Sequence, residues 1–210
     1  MKVDVFGDSK QGADHTENED SMLIDNIRKL YAIADGVTVP EGGKEASSRA
    51  VTYLERFFDD NLKKAVERVN ENIVGNKKNL PVGYTTIAAA SIKNNSLEIA
   101  NVGDTPIFLV RDKGIVMLTV QDRFLTGDLT QALGQDIVNV HISQEKLKPN
   151  DYVILVSDGI SDVLTEEDLL EIVKLHKEPK RIVEATFVAV DEEPQEYKDD
   201  KTMIVLQVGG

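Results

Sequence analysis

Between residues 85 and 120 the chain passes through four short apolar segments, 85–92, 97–102, 106–111 and 115–120. Only Asn94-Asn95, Gly103-Asp104 and Asp112-Lys113-Gly114 separate them. Such pairs and triplets are the punctuation of antiparallel hairpins, and connections this short leave no room for a crossover helix. Pro106 has no N–H to give to a ladder and suits the first position of a strand. A meander in mid-chain therefore excludes the alternating strand–helix order of a parallel sheet. Further strands are expected at 2–6, 21–25, 30–34, 152–156 and 202–208. From Gly43 the period changes: Ala46, Ala50, Leu54, Phe57, Leu62, Ala65, Val69 and Ile73 form a helical face. Asp59-Asp60-Asn61 divides it into two helices. Thr165, followed by three acids, caps another helix running to His176, and Pro179 opens a last one. Helices in two blocks around meandering strands give an α+β fold. No repeat or linker interrupts residues 1–210, which read as a single domain.

Composition narrows the chemistry. The 210 residues contain no cysteine, so disulfides, thiolate metal sites and cysteine nucleophiles are excluded. With only His15, His141 and His176 available, a bound metal must rely mainly on oxygen. The 37 acidic residues outweigh 24 basic ones for a net charge of −13, which disfavours nucleic acid and anionic membrane as partners. The start of the chain has no signal core, and the longest apolar runs are far below the ~20 residues that span a bilayer. The expectation is a cytoplasmic protein, monomeric, with no membrane and no nucleic-acid partner.

The placement of the acids matters more than their number. The run 30–34 leads directly into Asp35-Gly36, and 153–156 leads through Ser157 into Asp158-Gly159, with Asp162 four residues beyond Asp158. The run 99–103 delivers Asp104. Glu19-Asp20 and Asp199-Asp200 stand just ahead of strands. One Asp-Gly pair is ordinary turn chemistry. Five acidic sites at the mouths of buried strands are a converging set, and carboxylates that converge repel one another unless a hard divalent cation joins them. Without thiolates or an EF-hand loop the set points to Mg²⁺ or Mn²⁺. Two such ions clamp a phosphate ester and activate a water. Ser157-Asp158-Gly159 lacks the spacing of a nucleophile elbow, and residues 38–45 lack the glycine and hydroxyl of a phosphate-binding loop. His141 and His176 read as surface or satisfied residues.

At these acids the sequence resembles the metal-dependent serine/threonine phosphatases of the protein phosphatase 2C type (PPM), especially their compact bacterial members. Asn18-Glu19-Asp20-Ser21, Ala34-Asp35-Gly36, Gly43-Lys44-Glu45-Ala46-Ser47, Thr85-Thr86, Ala100-Asn101-Val102-Gly103-Asp104-Thr105, Thr130-Gln131-Ala132-Leu133-Gly134, Val156-Ser157-Asp158-Gly159 with Asp162, and Asp199-Asp200 follow the family's order. The resemblance implies two packed antiparallel β-sheets flanked by helices. It also implies hydrolysis of phosphoserine and phosphothreonine in signalling proteins by a metal-activated hydroxide attacking in line, with two or three Mn²⁺ or Mg²⁺ ions. Asp35, Asp158 and Asp199 would be catalytic metal ligands, the Gly36 carbonyl a further one, and Glu19 and Asp20 would orient metal-bound waters. Asp104 and Asp162, with Asp158, match a third and weaker metal position.

Four departures stand out. The family's phosphate-holding arginine is His15 here, the candidate phosphate binder. Thr38-Val39-Pro40 replaces two glycines and a histidine, and Asp200 replaces an asparagine. The connection from Asp122 to Thr130 is short, which implies an open cleft. Sporulation-type regulatory phosphatases share the fold and vary at such positions. The alternative class is a metal-binding pseudophosphatase acting as an interaction or sensor module.

Overall fold

The run Leu30–Ala34 is buried along its whole length, and the reason is visible in the layers around it. Leu30, Ala32 and Ala34 face one core, shared with two helices, while Tyr31 and Ile33 face a second core between two sheets. A strand covered on both faces has no polar side, so its sequence is continuously apolar instead of alternating. The same division holds at the other central strands. Val153 and Leu155 point between the sheets, whereas Ile154 and Val156 point to a third core under the C-terminal helices. Four layers, helix–sheet–sheet–helix, follow from these three cores, as the sequence led us to expect.

The computed structural model describes residues 2–77, 82–194 and 196–209. In chain order the elements are β1 (Val3–Lys10), β2 (Ser21–Asp25), β3 (Leu30–Ala34), α1 (Gly43–Phe57), α2 (Leu62–Asn76), β4 (Ile87–Lys93), β5 (Ser96–Val102), β6 (Ile107–Arg111), β7 (Gly114–Met117), β8 (His141–Lys146), β9 (Tyr152–Val156), α3 (Asp158–Ser161), α4 (Glu166–His176), α5 (Pro179–Glu192) and β10 (Lys201–Val208). One sheet has the order β1-β10-β9-β6-β7 and the other β2-β3-β4-β5-β8. Every pairing between these strands is antiparallel. Helices α1 and α2 cover the second sheet through Ala46, Ala50, Leu54, Leu62, Ala65, Val69 and Ile73, and α4 and α5 cover the first. The break between α1 and α2 falls at the Asp-Asp-Asn turn, where the Asn61 side chain caps α2 by accepting from Lys64 N. Thr165 and Asp168 form a reciprocal capping box at the start of α4. Among the described residues no helix is long and apolar enough to cross a membrane.

The strand expected over 2–6 runs on to Lys10, and two other expected strands need adjustment. The strand expected over 85–92 starts at Ile87, because Thr85 bridges singly to Gly36 and Leu133. The strand expected over 115–120 stops at Met117: the Asn101 side chain captures the Val120 backbone on both its N–H and its C=O and draws the chain out of the ladder. Strand β8 has no apolar run to betray it. It is an edge strand with exposed Ile142, Gln144 and Lys146, held by backbone pairing to β5.

Candidate active site

The acids named from the sequence gather where the two sheets end side by side. Asp35 follows the last residue of β3, and its backbone is gripped by the paired threonines. Asp35 N donates to Thr86 Oγ1 at 3.1 Å, and the Asp35 carbonyl accepts from Thr85 Oγ1 at 2.7 Å and Thr86 N at 2.8 Å. Thr86 Oγ1 in turn meets Thr105 Oγ1 at 2.6 Å, which ties the Asp104 loop to the same point. Gly36 must be glycine, since a Cβ there would stand 2.5 Å from the Gly43 backbone at the start of α1. From the other sheet, Asp158 opens α3 directly after β9. A Cβ on Gly159 would stand 2.0 Å from the Asp200 carbonyl, so glycine alone lets the Asp158 turn and the Asp199-Asp200 turn touch.

Asp35, Gly36, Thr38, Thr86, Asp104, Asp158 and Asp199 line one cavity of about 200 Å³. A larger depression of about 880 Å³ lies elsewhere, around Arg28, Phe58 and Lys93, and contains none of these groups. Glu19 and Asp20 join the cluster from behind. Glu19 Oε2 accepts from Thr38 Oγ1 at 2.7 Å, and buried Asp20 accepts from Ser157 Oγ at 2.8 Å. Lys44 Nζ reaches only the Asp20 carbonyl, at 3.1 Å.

The electrostatics of this cluster are those of anions brought together out of water. Burial, then the charges of Asp158, Asp20 and Asp199, push the Asp35 carboxyl well above the usual range. Burial and the charges of Asp199, Asp20 and Asp104 take Asp158 up to about 8. Asp20 rises to about 7, chiefly by burial, with the Thr202 and Ser157 hydroxyls opposing. The proximity of Asp35 and Asp158 pushes the Asp35 carboxyl up further. Among the described residues no lysine or arginine forms an ion pair with either. Buried carboxylates in this state are a donor set for hard divalent cations, and the residues present fit them.

Two groups of the predicted set behave differently. Asp162 is half-exposed and meets Arg123, whose Nη1 lies 2.8 Å from Asp162 Oδ1 and 3.6 Å from Asp104 Oδ2. The acids matched to a third metal position therefore already have a cation of the protein's own. Arg123 comes from the short connection, which is not absent from the cleft as expected. The connection folds into a tight turn, with Phe124 N donating to Asp128 O at 2.9 Å and Arg123 bridging Leu129, and Gly127 and Leu129 line the cavity.

His15, expected to face phosphate, is not part of the cavity lining. Its Nε2 lies 2.9 Å from Asp199 Oδ1, and its Nδ1 lies 3.2 Å from Asp200 Oδ2 and 3.7 Å from Glu19 Oε2. Three carboxylates, and not the cavity, are the ring's neighbours in this structure. Nor does the ring hang free in a loop. Asp200 was visible in the sequence only as a departure, yet it organises this corner: Oδ1 accepts from Gly12 N at 2.8 Å and Oδ2 from Glu19 N at 2.7 Å. An asparagine offers one acceptor oxygen where this loop needs two. His141, as expected, is satisfied, with Nε2 at 2.8 Å from Asp122.

Comparison with known proteins agrees with the geometry. The family model of stage II sporulation protein E (SpoIIE) matches residues 43–209. The chain belongs to the SpoIIE family. Among relatives of this SpoIIE-family chain, the serine/threonine protein phosphatase PstP of Mycobacterium tuberculosis is 26% identical over 197 residues, covering 80% of the chain and 38% of PstP. The chain thus spans well under half of that relative's length. A putative protein phosphatase 2C-type from Streptococcus pyogenes is 25% identical, with 95% of the chain and 90% of that protein covered. The fold matches the catalytic domain of PstP solved with two manganese ions, at a TM-score of 0.87, 24% identity and 99% coverage of both chains.

Proposed function

We propose that this chain is a metal-dependent phosphatase acting on phosphoserine and phosphothreonine in proteins, with two Mn²⁺ or Mg²⁺ ions as cofactors. The observation that carries the reading is the convergence of Asp35, Asp158 and Asp199 on one small cavity, with Asp20 behind them and, among the described residues, no lysine or arginine paired to Asp35 or Asp158. Asp35 would belong to both ions, the Gly36 carbonyl to one of them, and Asp158 and Asp199 to the other, with Glu19 and Asp20 as outer ligands. When bound, the ions supply Lewis acidity toward a phosphate ester and a water that is nucleophilic at neutral pH.

The chain's own groups do the positioning. Thr85 and Thr86 fix the Asp35 backbone and so set where its side chain leaves the strand end. Ser157 holds Asp20, and Thr38 holds Glu19. The turn carrying Gly127 and Leu129 forms part of the cavity wall. Arg123 pairs with Asp162 and lies near Asp104, a residue of the cavity lining. The relatives' phosphatase names support this reading and give the pseudophosphatase alternative nothing. A cytoplasmic phosphoprotein substrate suits a chain without cysteine.

The test is hydrolysis of p-nitrophenyl phosphate and of a phosphothreonine peptide with Mn²⁺, Mg²⁺ or EDTA. Turnover that needs the metal and disappears in Asp35→Asn supports the reading. A protein that binds Mn²⁺ and hydrolyses neither substrate refutes it.

A further inference from the structure

The His15 side chain is only 5% exposed, and its Nε2 is buried without a hydrogen bond. That atom is 2.9 Å from Asp199 Oδ1, yet the contact lacks the geometry of an N–H···O bond. Asp199 Oδ1 instead accepts from Asp200 N at 2.7 Å. On the other side of the ring, Nδ1 faces the Asp200 carboxylate at 3.2 Å, and backbone N–H groups of Gly12 and Glu19 fix that carboxylate. Tyr197 packs on the ring, with centroids 5.4 Å apart. Nδ1 has a carboxylate within ion-pair distance and Nε2 is unpaired beside a second one; a metal-binding histidine is held in this arrangement once the outer acid accepts from Nδ1–H and leaves the inner nitrogen its lone pair. Donor atoms of His15, Asp199 and Asp200 all lie within 4.8 Å of one another.

We propose that His15 Nε2 is itself a metal ligand, holding with Asp199 a divalent ion at the edge of the proposed phosphatase site, beside the cavity that Asp199 also lines, and that Asp200 is the carboxylate that orients it. The inference rests on that reading of the site and goes beyond its all-oxygen ligand set. A nitrogen donor shifts preference away from Mg²⁺, which demands oxygen, toward Mn²⁺, Co²⁺ or Zn²⁺. The two departures at residues 15 and 200 then form one device: His15 supplies the ligand, and Asp200 supplies both the loop anchor and the orienting charge.

The experiment is electron spin-echo modulation of the Mn²⁺-loaded protein, combined with metal titration by calorimetry. Wild-type protein should show ¹⁴N modulation from a bound imidazole. His15→Gln should lose it, and the double variant His141→Gln/His176→Gln should keep it; the chain has no other histidine. His15→Gln should weaken Mn²⁺ binding at one site by ~10–100-fold or more while changing Mg²⁺ binding far less, and Asp200→Asn should weaken Mn²⁺ by ~10–100-fold with the modulation retained. Two Mn²⁺ ions bound to wild type without ¹⁴N modulation overturn the inference and leave the phosphatase reading standing. A wild-type protein that binds no Mn²⁺ at millimolar concentration overturns both. The wild-type spectrum decides the matter even if a variant fails to fold.

Discussion

Arg123 Nη1 lies 2.8 Å from Asp162 Oδ1 and 3.6 Å from Asp104 Oδ2, so one guanidinium joins the cleft-lining turn to an acid just past β5 and another at the end of α3. It also holds Asp104 down against the rise that burial imposes on its carboxyl. In Arg123→Gln these acids lose their cation while the ligand cluster around Asp35 is untouched. Equilibrium dialysis with Mn²⁺ should find two ions on the wild type and an additional weak one on the variant. Three ions on both proteins would show that the guanidinium does not compete for the position.

Removing one of the buried acids should cost activity and help the metal-free fold. Asp158→Asn is expected to lower turnover by ~10³-fold or more, the scale of a lost metal-centred stabilisation of several kcal/mol. In EDTA the same variant should melt higher than wild type, by on the order of 2 kcal/mol or ~4–8 °C, because a carboxylate held up at about 8 by burial and its neighbours is gone. Equal melting temperatures in EDTA would mean that the cluster is not repulsive.

The pH dependence of the metal-free protein follows with a definite sign. Asp20 and Asp158 have folded values of about 7 and about 8 against an ordinary 3.8. Between those limits the folded state binds more protons than the unfolded chain. The contribution of these groups is therefore fully present below 3.8 and is lost as pH rises toward 8. Denaturant titrations in EDTA should show stability falling over that window, with a smaller slope in Asp158→Asn. Millimolar Mn²⁺ should reverse the trend near neutrality, since binding to the folded state adds RT ln(1 + [L]/Kd). A flat EDTA profile from pH 4 to pH 8 would contradict the burial of unpaired acids.

Far from the cleft, Arg111 on β6 meets Asp151 with two hydrogen bonds, at 2.9 and 2.7 Å, and reaches Glu145 of β8 at 3.0 Å. Asp151 is almost fully buried, at 1% exposure. Arg111→Met should destabilise the protein by ~3–5 kcal/mol by leaving that carboxylate unpaired. Turnover per folded molecule at low temperature should not change. A loss below ~1 kcal/mol in chemical denaturation would mean that water or Lys148 N satisfies Asp151 without the arginine.

Much of the fold was legible because each central strand is covered on both faces. Residues 30–34, 153–156 and 202–208 announce themselves by composition alone, and Thr165 and Asn61 mark their helix starts by chemistry that acts over three residues. Strand β8 was not legible, because pairing to β5 and not apolar burial holds it. The acids could be singled out because each one ends an apolar run, a local fact of the chain.

What the sequence by itself determined is the α+β class, the starts of α1, α4 and α5, the break before α2, and the delivery of Asp35, Asp104, Asp158 and Asp199 to the ends of apolar runs. What the tertiary structure alone decided is which of those acids has a cation partner. Arg123 reaches Asp162 across 39 residues, and Asp200 anchors Gly12 across 188, bringing His15 between Asp199 and Asp200. Asp35 and Asp158 are left facing each other. Hydrophobic periodicity is a property of neighbouring residues. Charge pairing depends on distance in space, and folding the two sheets together is what sets that distance.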